Sequence, residues 1–242
     1  MLNVYMRKDL NMRKGKMAAQ SAHAAMRLFL ESLFVNGNKL VLEPIQEKEF
    51  TDFLTNPVVK LKQVKDEEEL VNSFDKSLPF SEIVDHGRTE FNGVLTKTCG
   101  SQGIFKHLNT HELYVPTDYE SGIKAKQIIV FSKENPLSKD LACEMAALGC
   151  LKVLFKQMKK NENDKWEIDL SEKNSLSDWI TGAFAKIAVS TKTDHELEDL
   201  KNKLKENGFI FEEVLSGNNK AIVIEPAAYE KIDPYTKHLS LI

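Results

Sequence analysis

The chain has 242 residues, 42% apolar and 29% charged, with a formal net charge of −3 at neutral pH. This balance fits a globular protein of one large or two ordinary domains and excludes an intrinsically disordered chain. No apolar run approaches the roughly eighteen residues that cross a bilayer, so no membrane partner is expected.

In chain order, an apolar strand near 2–6 leads into a basic turn. Arg7, Lys8 and Asp9 interrupt the N-terminus before a signal-peptide core can form. A helix opens at Lys14-Gly15-Lys16 and carries Gln20 and His23 three residues apart, on one face. Residues 1–30 hold six Lys or Arg against one Asp, a local +5 in an acidic chain. Unpaired N–H groups at a helix start add positive potential, so this turn is expected to seat a phosphate or a developing oxyanion. Residues 36–50 read as a polar insertion. A strand is expected at 58–64, then a helix over 66–80 that Pro79 stops, then a strand at 80–84. The turn Asp85-His86-Gly87-Arg88-Thr89 follows, with a further strand at 94–99. His107 and His111 have helical i, i+4 spacing but no acidic or cysteine companion, so no metal site is expected. Turn formers over 116–122 mark a boundary.

A shift of 125 residues lays segment 4–26 without gaps on 129–151. Lys8 meets Lys133, Lys14 meets Lys139 and Ala22 meets Ala147. Later elements recur in the same order, with strands near 127–131, 184–190, 210–215 and 220–225 and a second polar insertion at 159–177. The chain therefore reads as two similar α/β units, 1–122 and 123–242. The second has lost the polar pattern: Asp140, Leu141, Met145 and Leu148 stand where the first has Gly15, Lys16, Gln20 and His23. Segment 215–219 lacks both the aspartate and the threonine of the first turn. The cysteines at 99, 143 and 150 form neither a metal spacing nor a disulfide framework, and Cys143 and Cys150 read as core. A cytoplasmic location is expected.

The segment holding Lys14, Gly15, Lys16, Gln20 and His23, together with Asp85, Gly87 and Thr89, resembles the signature of the type 2 peptidyl-tRNA hydrolases. The resemblance implies two units, each a four-stranded mixed sheet with helices on both faces, and a closing segment 231–242 made of a short helix and a final strand. It implies cleavage of the ester between a peptide, or N-blocked amino acid, and the tRNA 3′ end, with no cofactor or metal. Lys14, Asp85, Thr89 and Thr98 would be catalytic, with Thr96 a rival to Thr98. Gln20 and His23 would support them, and Arg13, Lys16 and Arg88 would hold tRNA phosphates. Family members pair as dimers, so this chain is expected to be a monomer with an intramolecular pseudo-dimer. The first copy departs from the pattern at His86, and at 99–103, where a clean apolar strand is usual. Plainer readings stay open: Asp85 and Thr89 shape a tight turn, and Gln20 and His23 satisfy a helix interface. A catalytically inactive tRNA- or RNA-binding protein, or a protein-interaction module, is the alternative function.

Overall fold

The computed structural model describes residues 1–106, 112–115 and 124–242. His107, His111 and the boundary at 116–122 lie outside the described residues.

The first unit opens with β1 (Leu2–Arg7), which buries Leu2, Val4 and Met6. Helix α1 (Lys14–Glu31) follows, its buried face built largely of alanines. A hairpin comes next, β2 (Phe34–Asn36) and β3 (Lys39–Val41), turning on Gly37 at φ +60°. Helix α2 (Pro44–Thr55) begins with a proline and a Glu43–Gln46 capping box. Then come β4 (Val59–Val64), α3 (Glu67–Asn72), β5 (Phe80–Asp85) and β6 (Thr96–Gln102).

The second unit runs β7 (Ala125–Ser132), α4 (Lys139–Gln157), β8 (Lys159–Lys160), β9 (Trp166–Asp169), α5 (Ser175–Ile180) and β10 (Ala185–Thr191). It closes with α6 (Asp194–Glu206), β11 (Phe211–Ser216), β12 (Asn219–Ile224), β13 (Ala227–Ala228), α7 (Tyr229–Thr236) and β14 (Ser240–Leu241). The closing segment is thus a short helix and a final strand, as the sequence implies.

The duplication is visible in the topology. The first sheet has strand order β4-β1-β6-β5, and the second contains the matching path β10-β7-β12-β11. In both, the opening strand pairs parallel with one neighbour and antiparallel with the other. The second sheet is larger than expected, because β14 adds to β10 and β13 pairs with β7.

Three local expectations need correction. The helix expected to reach residue 80 stops at Asn72, because Phe74 turns inward to pack on Tyr5 and Phe80. Strand β6 continues through Gln102 despite its polar composition. Ser101 Oγ donates to the Ala24 carbonyl at 2.7 Å, and a side chain at Gly100 would strike the Phe74 ring. Small residues are needed there. The two polar insertions carry strands that the sequence reading did not include: β3 pairs antiparallel with β9, giving a third sheet, β2-β3-β9-β8, that joins the halves.

Helices α1 and α4 lie between the two large sheets, and one apolar core runs through both units. Helix α3 covers the outer face of the first sheet, through Leu70. Leu197, Leu200 and Leu204 of α6, with Ile232 of α7, cover the outer face of the second. The repeat is also written into a reciprocal contact. Lys14 donates to the Leu137 carbonyl at 2.6 Å, and its counterpart Lys139 donates to the Met12 carbonyl at 3.0 Å. Each unit's turn lysine therefore clips the other unit's turn.

Where α4 crosses the second sheet, a Cβ on Gly149 would lie 2.4 Å from one Val223 methyl and 2.9 Å from a Val214 methyl. Ala in a helix interior normally stabilises by up to about 1 kcal/mol over Gly. Here overpacking dominates, so Gly149→Ala lowers stability by about 1–3 kcal/mol, measured by urea unfolding. A stabilised variant would show that the contact has slack.

Candidate active site

Asp85 ends β5 and opens the loop 86–95 before β6. Gly87, at φ +73°, folds this loop back so tightly that a Cβ would meet the backbone of Gly93 and Val94 at 2.7 Å. Its own N–H donates to Asp85 Oδ1 at 2.7 Å. The turn reading and the site reading of Asp85 therefore coexist: the turn is what aims the carboxylate.

Oδ2 of Asp85 faces α1. Gln20 Nε2 donates to it at 2.6 Å, and the Lys16 ammonium pairs with it at closer range. Lys16 also donates to Thr89 Oγ1 at 3.3 Å. Fully buried Thr98 donates from Oγ1 to Gln20 Oε1 at 3.0 Å, which holds the amide with its N–H₂ toward the aspartate. Thr96 turns away and donates to the Val94 carbonyl. Of the rival threonines, Thr98 joins the network. Cys99 lies beside it, but burial pushes its thiol up to about 12, so it offers no thiolate at neutral pH.

The structure separates two residues that the sequence places together. Lys14 stands apart from Asp85, with its ammonium committed to the Leu137 carbonyl; Lys16, assigned from sequence to phosphate binding, is the cation at the carboxylate. The reason is helical phase: residues two apart on α1 face different directions, one toward β5 and one toward the second unit. The expected anion seat at the helix start is also altered. The Gly15 N–H donates to the Ile242 backbone oxygen at 3.0 Å, and a Cβ at Gly15 would lie 2.7 Å from that oxygen. Nor does the local +5 persist as free field. Arg7 is held by Asp9 and Glu67, Arg13 by Glu90 at 2.9 Å, and Arg27 by Glu31. Arg13 and Arg88 are exposed on the rim.

The network opens onto a cavity of about 550 Å³ between the units. One wall is α1, from Lys16 to Leu30, with the Asp85 loop; the other comes from the second unit, through residues 180–188 and 241–242. Sequence analysis missed that second wall. His23 reaches it: its Nδ1 lies 3.3 Å from the Lys186 ammonium, and its ring lies 5.4 Å from Phe184. Burial, then the Lys186 charge, push the His23 imidazole well below its ordinary range. Burial likewise pushes the Lys186 ammonium well below the usual lysine range.

In the second unit the equivalent positions are apolar. Strands β11 and β12 meet at a two-residue turn, Gly217-Asn218, instead of the ten-residue loop 86–95. Met145 is buried in the core where the first unit has Gln20, and Leu141 and Leu148 pack against that core in place of Lys16 and His23. Among the described residues, no three His, Cys, Asp or Glu cluster as metal ligands.

The sign of His23's titration follows from its environment. In the unfolded chain it protonates near 6.5, while the folded protein resists protonation, so acidification favours unfolding. His23→Leu, copying Leu148, should remove up to about 2 kcal/mol of the stability lost between pH 7 and pH 5. Paired urea titrations at the two pH values measure it. An unchanged pH loss would assign the acid sensitivity elsewhere.

The chain matches the family model for Peptidyl-tRNA hydrolase PTH2 in two segments, residues 1–103 and 125–242. A curated relative, "Probable peptidyl-tRNA hydrolase 2" of Dictyostelium discoideum, is 30% identical over 127 residues. That alignment covers 48% of this chain and 54% of the relative, so the chain spans about half the length of the curated protein it matches. With the doubled topology, the matched segments carry one conclusion: the chain belongs to the peptidyl-tRNA hydrolase PTH2 family, as a tandem duplication with a degenerate second copy.

Proposed function

We propose that this chain hydrolyses the ester joining a peptide, or an N-blocked amino acid, to the 3′ end of tRNA, using a site in unit 1–122. The observation that carries the reading is the Asp85 carboxylate, fixed by Gly87, Gln20 and Lys16 beside the cavity. Asp85 takes a proton from water as the water oxygen attacks the ester carbonyl carbon. Lys16, with Thr89 beside it, stabilises the negative charge that forms on the carbonyl oxygen. Collapse breaks the bond to the ribose oxygen, which recovers the proton. Thr98 acts through Gln20, holding the amide that orients Asp85. Arg13 and Arg88 on the rim receive tRNA phosphates, supplying affinity more than sequence choice.

Unit 123–242 then serves as a pseudo-subunit, replacing the second member of a dimer. Sedimentation should give a single monomeric species; a tight dimer would remove the pseudo-dimer reading.

A second reading, binding without cleavage, draws on the same ion pair, since Lys16 and Gln20 already occupy the Asp85 oxygen that faces the helix. Turnover separates the two. Purified protein should release N-acetyl amino acid from tRNA, and Asp85→Asn should lose at least about a hundredfold in kcat. Lys16→Met should also lose most of the rate, whereas Lys14→Met should lower stability and keep turnover within about threefold. Wild-type release at background, with salt-sensitive tRNA binding retained, would favour the binding protein.

A further inference from the structure

The second unit has lost its own site, yet it places an unusual group in the wall of the first. Lys186, only 9% exposed, donates to the Phe184 carbonyl at 3.4 Å and pairs with no carboxylate among the described residues. Its ammonium lies 3.3 Å from the Phe184 ring centre, 4.4 Å from that of Trp179, and 3.3 Å from His23 Nδ1. These neighbours give the amine two aromatic faces and a ring nitrogen, but no counter-charge. Beside it in register on β7 stands Gln127, fully buried, with neither its amide oxygen nor its amide nitrogen bonded. The matching strand pair in the first unit is Leu2 with Val59. The copy that shed polar groups elsewhere carries two at the strands backing the cavity.

We propose that Lys186 is a specificity-determining residue of the cavity, receiving the carbonyl oxygen of an acylated α-nitrogen and excluding a free α-ammonium. The inference rests on the reading of the site as an acyl-ester hydrolase and assigns its selectivity to the second unit. His23, Lys186's contact, is one helical turn from Gln20, whose amide holds Asp85. An ester carbonyl at Asp85 leaves the α-nitrogen, two bonds away, inside the same cavity that Lys186 lines. Around that point Leu30, Phe184, Ile180 and Leu241 form apolar wall suited to an amino-acid side chain. In such a poorly solvated space a carbonyl oxygen gains a hydrogen bond from the Lys186 nitrogen. A free α-ammonium would lose its hydration there, with no carboxylate beside Lys186 to replace it.

The test uses non-cleavable ligands, so it does not depend on turnover. The probes are the adenosine 3′-amide of N-acetyl-phenylalanine and its free-amine counterpart, titrated by calorimetry at pH 6, where the free amine is charged. Wild-type protein should bind the acetylated ligand at least about tenfold more tightly. Lys186→Met and Lys186→Gln should reduce that preference to within about threefold, and Lys186→Arg should restore most of it. Removing a buried amine that has no counter-charge should not impair folding, which circular dichroism checks. Equal wild-type affinities, no measurable binding of either ligand, or a preference unchanged in the neutral variants would each overturn the inference. Failure of the hydrolysis assay with this preference intact would reject the enzyme reading and leave the selectivity role standing.

Discussion

Ser21 on α1 donates to the Cys143 carbonyl on α4 at 2.9 Å, a side-chain contact that requires the two helices to run unusually close. Alanines at 18, 22 and 25 on one helix, and at 142, 146 and 147 on the other, bring no bulk to the buried faces. Close packing of this layer seals one apolar core between the two large sheets. The paired lysine–carbonyl clips at its ends, Lys14 to Leu137 and Lys139 to Met12, set how the halves meet. The cavity exists because of that arrangement, since each unit supplies only one of its walls.

The copies keep their frame and differ in what hangs from it. In the first unit, ten residues between β5 and β6 give Asp85 room to turn toward α1, and Gln20 and Lys16 meet it there. In the second, a two-residue turn connects the equivalent strands, and leucine and methionine occupy the matching helix positions. A duplicated chain needs two frames to complete the shared core, but a single working set of polar groups is enough for one cavity. Apolar replacement in the second copy also avoids burying unpartnered polar atoms. Gln127 and Lys186 break that economy at the cavity's edge.

The pairing of charges explains why sequence and structure disagree about the basic turn. Six cations in thirty residues suggest an open electropositive surface, yet four of them, Arg7, Arg13, Lys16 and Arg27, meet carboxylates. Two of those carboxylates, Asp85 and Glu90, come from the site loop, 69 and 77 residues along the chain. A linear charge count has no access to such partners.

Period and order alone make the duplication, the sheet strands, the opening helices and the Asp85 turn legible, because each depends on neighbours a few residues apart. The hairpin at Gly37 and its pairing with β9 lie in segments that read from sequence only as polar insertions. What only the fold decided depends on contacts between residues 69 to 163 positions apart. It chose Lys16 over Lys14 by the phase of α1, and Thr98 over Thr96 by the register shift in β6 opposite Ile83 and Val84. It brought Lys186 to His23, 163 residues apart, because packing of one unit against the other positions them and no local pattern records that distance.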